Sequence, residues 1–362
     1  MSSTDVGRHV LLTGANGFVA SHILSILIGR GYAVTATVRS HGKADDIIKT
    51  HPEWKDRVKF AIVADLSSAK PFDTIFQNAK NPFNYIIHTA SPVRFQVTDI
   101  WKEMIEPAVM GISTIEILKA AHHYGGSDLK RFVLLGSAVS VLNSFEDLSR
   151  EGVPYTERSW NPVTAEQAIE KNDPVLGYNV SKTMAEKSAW QFVRKKSPSF
   201  DLVVINPDII IGPMIHPISG PKNVNETNQF AIRSFLDGTY KQIEDATFPF
   251  YHFVDVRDVA QSHADALTNP AAANQRILLI SDLIAPQLVA NVIRKNFPAL
   301  KDRVPEGNPS QILPSGVHPT GWDMRVSLDI LAKGTKEGKW NYIDLETSVT
   351  DTVNSMMEHN VI

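Results

Sequence analysis

Residues 9–20 read HVLLTGANGFVA, an apolar run that meets two glycines three positions apart and then enters a helical pattern. His9–Thr13 has the length and apolar continuity of a buried strand, and Phe18–Gly29 has helical periodicity. A strand, a glycine-rich turn and a helix in that order put backbone amides and the positive end of a helix dipole where a pyrophosphate can bind. Gly14 suits the tight turn, Gly17 a close approach of phosphate to backbone, and small Ala20 close packing of helix on strand. Asn16, Phe18 and Val19 complete the candidate loop. A purely structural turn is the competing reading, and the rest of the chain has to decide between them.

Downstream, short β-rich runs alternate with helical segments, which is the pattern of βαβ units in a parallel sheet. The expected strands are Ala33–Val38, Val58–Val63, Tyr85–Thr89, Arg131–Gly136 and Leu202–Asn206. Helices are expected at Lys43–Thr50, Phe72–Ala79, Ile100–His122 and Val175–Lys195. The fold class is therefore α/β, a doubly wound Rossmann parallel sheet. After Ile211, the breakers Gly212, Pro213, Pro217, Gly220 and Pro221 mark a change of register. Residues 1–211 are expected to form the dinucleotide-binding domain, with 250–283 returning to it through Phe250–Asp255 and Arg276–Ser281. Residues 212–249 and 284–362 are expected to form a smaller mixed α/β C-terminal substrate lobe.

The 362 residues carry a formal net charge of −3, with 43% hydrophobic and 21% charged residues and no cysteine. That balance leaves no basic footprint for nucleic acid or an anionic membrane. Disulfides, thiolate metal sites and cysteine nucleophiles are excluded outright. The opening residues carry no signal-peptide pattern and no run approaches ~18 apolar residues, so a cytoplasmic protein with no membrane span is expected. The 12 histidines show no metal-ligand spacing, and no metal is expected.

Five positions carry chemistry. At the end of the second strand stands Arg39, where an enzyme for the unphosphorylated dinucleotide more often has a carboxylate to hold the ribose hydroxyls. Arg39 suits a 2′-phosphate, and Lys43 adds a second positive charge, which favours NADPH/NADP as cofactor over two merely solvated cations. Tyr178 and Lys182 stand at i and i+4, so both project from one helix face. A phenol with an unperturbed pKa near ~10 is a poor acid–base group at neutral pH, and a nearby ammonium is expected to lower it. This spacing is common by chance. What gives it weight is Ser137, a hydroxyl at the carboxyl edge of the fifth strand, where open α/β sheets bind ligands and where it can donate to a carbonyl.

With LTGANGFVASH at 12–22, TVRS at 37–40, HTASP at 88–92, RFVLLGSA at 131–138, GYNVSKTMAEKSAW at 177–190, INPDIIIGP at 205–213 and DVRDVA at 255–260, almost the whole chain resembles the extended short-chain dehydrogenase/reductase family. Within it, the sequence is similar to fungal methylglyoxal/carbonyl reductases related to plant dihydroflavonol reductases. That resemblance implies a small-molecule carbonyl substrate, NADPH as hydride donor, Tyr178 as proton donor, Ser137 polarising the carbonyl, and Lys182 holding the ribose and tuning Tyr178. It further implies that Asp65 and Leu66 border the adenine. Thr89, Ala90, Ser91 and Pro92 would line the nucleotide, and Pro207 with Ile209 would lie against the nicotinamide. Val93, Phe95, Leu142 and Val175 would face the substrate, and the protein would be a monomer or homodimer. Two positions depart from the family: Met110 stands where relatives have Asn, and Gly136 replaces a hydroxyl residue. A nucleotide-sugar epimerase or a non-catalytic NADP-sensing regulator are the alternative functions.

Overall fold

The structure, a computed structural model, describes residues 7–68, 70–91, 99–109 and 114–362. Its strands are β1 (His9–Thr13), β2 (Ala33–Val38), β3 (Val58–Ile62), β4 (Tyr85–His88), β5 (Arg131–Leu135), β6 (Asp201–Pro207), β7 (Ile209–Ile211), β8 (His252–Asp255), β9 (Arg276–Leu279) and β10 (Asp282–Leu283). Seven of them form one sheet in the order β3-β2-β1-β4-β5-β6-β9, every neighbouring pair parallel. The order reverses between β1 and β4, the switch point at which the carboxyl ends of parallel strands diverge and leave a crevice.

Residue alternation explains why both faces are covered. Val10, Leu12, Tyr85, Ile87 and Val133 point to one side, into a core shared with Ile23 and Leu27 of helix Phe18–Gly29 and Val259 of helix Val256–Ala266. Leu11, Ile86, Phe132 and Leu134 point to the other, against Ile117 and Leu118 of helix Thr114–Tyr124 and Ala189 of helix Pro174–Lys196. Strands buried on both faces read as near-continuous apolar runs, which is why β1 was legible from sequence.

A second, three-stranded sheet has the order β10-β8-β7, with β7 parallel and β10 antiparallel to β8. Its lobe has a separate core that includes Ile211, Phe235, Phe253, Ile284, Val289 and Val353. The expected return of 250–283 is thereby divided. Arg276–Leu279 closes the large sheet as β9, whereas His252–Asp255 joins the small one, together with Ile209–Ile211 from the end of 1–211. Within the expected helix Ile100–His122, a π-helical turn at Trp101–Ile105 runs into the helical segment Glu106–Val109, which contains Pro107, and Thr114–Tyr124 is helical. A proline inside the run lacks the amide that continuous i to i−4 bonding needs.

One tie joins the sheet edge to its covering helix. The Arg276 guanidinium on β9 pairs with Glu186 of helix Pro174–Lys196 at 2.6 Å, with both side chains buried. It also donates to the carbonyls of Glu157 and Ser159 at 2.7 Å each and stacks 3.7 Å from the Trp160 ring centroid. Removing one partner of a buried pair strands the other charge, at a cost of about 3–5 kcal/mol. Arg276→Met is therefore expected to lower the unfolding free energy by about that amount, read from the shift in denaturant midpoint at constant slope.

Candidate active site

A cleft of about 750 Å³ opens along the carboxyl ends of β1, β2 and β4, and Gly14, Asn16, Gly17, Phe18, Val19 and Arg39 form part of its wall. Asp65, Leu66, Thr89, Ala90 and Ser91 line it as well. Gly14 has φ +75°, and a Cβ there would sit 3.2 Å from the Ala90 Cα, so this turn is closed to side chains by both conformation and space. Gly17 is the N-cap of helix Phe18–Gly29 and no side chain caps that helix. Its first-turn amides are thus left for an anion. Arg39 is exposed on the cleft wall and makes no ion pair among the described residues. A positive-φ glycine turn, an uncapped helix start and a guanidinium with no ion pair among the described residues fit a dinucleotide carrying an extra phosphate.

One buried hydroxyl organises the switch point. Thr13 Oγ1 accepts from the amides of Thr89 and Ala90 at 3.1 Å each and lies 2.8 Å from His88 Nδ1. With both lone pairs taken, the hydroxyl donates to Nδ1, which places the His88 proton on Nε2. Burial, with a smaller contribution from the Lys182 charge, holds the His88 pKa down to about 3, so the ring stays neutral.

Helix Pro174–Lys196 starts on Pro174, with Asp173 capping it by accepting from the amides of Val175 and Leu176. Gly177 lets the helix approach Ile100 closely, since a Cβ there would lie 2.6 Å from the Ile100 Cγ2. Tyr178, Lys182 and Glu186 then fall on one face at successive turns. The Tyr178 hydroxyl hydrogen-bonds Ser137. Its pKa is pushed up to about 12, chiefly by desolvation; Ser137 pulls it down and the nearby Glu226 pushes it up. This corrects the expectation that Lys182 lowers the phenol: loss of water outweighs every charge near the ring, and Ser137 supplies the opposing pull. Desolvation likewise brings Lys182 down to about 8, with Glu186 opposing it. Lys182 has no hydrogen-bond or ion-pair partner among the described residues.

A family model described as male sterility protein matches residues 12–262. The chain belongs to the extended short-chain dehydrogenase/reductase family. This reductase-family chain is 32% identical over 357 residues to ketoreductase azaE of Aspergillus niger, covering 98% of each. It is 29% identical to the NADPH-dependent methylglyoxal reductase GRE2 of Saccharomyces cerevisiae, covering 96% of this chain and 98% of that one. Among solved structures, Gre2 from Candida albicans in complex with NADPH aligns with a TM-score of 0.82 at 30% identity, covering 97% of this chain and 99% of that chain.

Not every expected residue of this short-chain dehydrogenase/reductase reaches the cleft. Lys43 pairs with Asp46 at 3.1 Å and is not part of the cleft wall, because the next helix begins at His41 and turns the ammonium along its own surface. Ile209 is buried in the core of the smaller lobe, since β7 pairs with β8 there, and Pro207 is buried at the end of β6. Asp65 holds Ser67 through its Oδ1, which accepts from the Ser67 amide and hydroxyl at 2.8 and 2.6 Å. Leu142 and Val175 line a separate cavity of about 200 Å³. Pro92, Val93, Phe95 and Met110 lie outside the described residues. Sequence reasoning missed Glu226, Asn206 and Glu186. Glu186 had a readable signal, standing four residues after Lys182 on the same face, whereas Glu226 arrives from a distant helix.

Gly136 gains a reason from Asn206. The Asn206 Oδ1 accepts from the Ser137 amide at 2.8 Å, and a Cβ at Gly136 would fall 2.1 Å from that same oxygen. The departure from a hydroxyl residue is therefore a steric consequence of the amide that holds Ser137. Gly136→Ala is expected to cost about 1–3 kcal/mol by overpacking, while Gly136→Ala combined with Asn206→Ala recovers part of the loss, measured as a double-mutant cycle in denaturant unfolding.

Proposed function

We propose that this protein reduces aldehydes and ketones to alcohols with NADPH. The observation that carries the reading is the Ser137–Tyr178 hydroxyl pair, with Lys182 one turn away and without a direct partner among the described residues, on the sheet edge that also bears the dinucleotide cleft. NADPH fits that cleft better than NADH because Arg39 stands where a ribose-holding acid would be, and the relatives named for NADPH agree with this. Bound there, the reduced nicotinamide supplies the hydride for the carbonyl carbon.

The residues supply the rest. Tyr178 keeps its proton through the physiological range and gives it from Oη to the carbonyl oxygen. Ser137, aligned by Asn206, donates to the same oxygen as negative charge grows on it. Lys182 holds the ribose hydroxyls and places a positive charge beneath the site. The large sheet carries the nucleotide and the smaller lobe closes on the substrate.

Two measurements test this. Tyr178→Phe is expected to lower kcat by about 10²–10⁴-fold while leaving NADPH affinity within about twofold, seen by turnover and by cofactor fluorescence titration. Near-normal turnover with NADPH bound would sink the assignment. The Lys182 ammonium is charged below about pH 8 and neutral above it. The kcat/KM for carbonyl reduction is therefore expected to fall about tenfold per pH unit above that point, with no loss from Tyr178 in the same range.

A further inference from the structure

The cavity of about 200 Å³ beside the catalytic helix holds a polar group that the reduction just described does not use. Asp208 follows Pro207 at the end of β6 and is only 8% exposed, yet it lines this cavity together with Leu142, Val175, Leu176, Asn179 and Trp322. Its backbone amide donates to the Leu279 carbonyl at 3.2 Å, and its Oδ1 accepts from the Ile209 amide at 2.9 Å. Among the described residues, the second oxygen, Oδ2, has no protein partner and no lysine or arginine lines the cavity. A nearly buried carboxyl without a cation is strongly disfavoured as an anion.

The other titratable groups on the cavity wall leave it that way. Glu146 is occupied by the Tyr155 hydroxyl at 3.2 Å and the Thr320 amide at 2.5 Å, and Asp173 caps the catalytic helix. Burial raises the Tyr155 phenol to about 12 and also raises Tyr251. His252 is pulled down to about 4 by burial against a smaller pull from Asp282, and its Nδ1 accepts from Trp322 Nε1 at 3.3 Å. None of these groups is a cation at neutral pH that would ionise Asp208. Burial accordingly raises Asp208 to about 8.

Building on the carbonyl-reductase reading, we propose that Asp208 is a specificity-determining residue that donates a hydrogen bond from its neutral carboxyl to a second, acceptor oxygen of the substrate. The preferred substrates are ketones that carry an ether or carbonyl oxygen away from the reacting carbon, set in an otherwise apolar chain. An analogue that puts CH₂ in place of that oxygen leaves the buried carboxyl unpaired and binds less well. Above about pH 8 the carboxyl is an anion that has only acceptors to offer, and the preference disappears.

The test uses aliphatic methyl ketones paired with their oxa-analogues, with dissociation constants read from tryptophan fluorescence, since Trp322 lines the cavity. Wild-type protein with NADP bound is expected to hold the oxygenated member about tenfold tighter at pH 6.5, with a ratio near one at pH 9.5. Asp208→Asn, an uncharged donor of the same shape, keeps the preference at both pH values, and Asp208→Leu loses it at both. Should Asp208→Leu fail to fold, the pH contrast between wild type and Asp208→Asn decides. A preference that survives in Asp208→Leu, or that is the same at both pH values in wild type, overturns the assignment. Because the readout is a binding ratio, absent turnover would count against carbonyl reduction and leave the role of Asp208 to be judged on binding.

Discussion

The cleft depends on two parallel strands that must part at their carboxyl ends without coming undone, and a threonine hydroxyl resolves that conflict. Thr13 Oγ1 bonds the amides of Thr89 and Ala90 and the ring of His88, so β1 and β4 stay joined where their loops diverge. These bonds hold the sheet edge from within, and a buried polar cluster whose groups are satisfied is rigid. The same arrangement brings Ala90 against Gly14, and the absence of a side chain at Gly14 follows from that proximity.

Electrostatics is arranged along one helix face. Tyr178, Lys182 and Glu186 form a column whose lower end is neutralised by Arg276 and whose upper end meets Ser137 and the field of Glu226. Lys182 sits between them with no direct partner among the described residues, and burial makes its charge costly. A buried charge that weakens the resting protein and yet lies beside the proposed reacting groups fits a stability–activity trade-off at the level of one side chain. Arg276 is then more than a sheet-edge tie, because it fixes the carboxylate whose field keeps Lys182 from losing its proton earlier.

Asn206 and Asp208, two positions apart on β6, divide the polar work between the two sides of the site. Asn206 spends its oxygen on the Ser137 amide, and its buried Nδ2 has no hydrogen-bond partner among the described residues. Asp208 holds its own turn with one oxygen and lines the neighbouring cavity. Between them Pro207 donates no hydrogen bond, and the strand ends.

The sequence by itself determined the large sheet, the glycine turn, the placing of Tyr178 and Lys182 on one helix face and that of Ser137 at the carboxyl end of a strand. Strands buried on both faces leave apolar runs, and a helix places i and i+4 on one face, so these features follow from local pattern. Periodicity does not report which sheet a strand joins, and only tertiary pairing put β7 and β8 together and took Ile209 into the lobe core. Burial is also invisible in a linear pattern. The Tyr178 phenol rises where a neighbouring ammonium alone would have lowered it, and Asp208 becomes a neutral carboxyl, because both are withdrawn from water by segments distant in the chain.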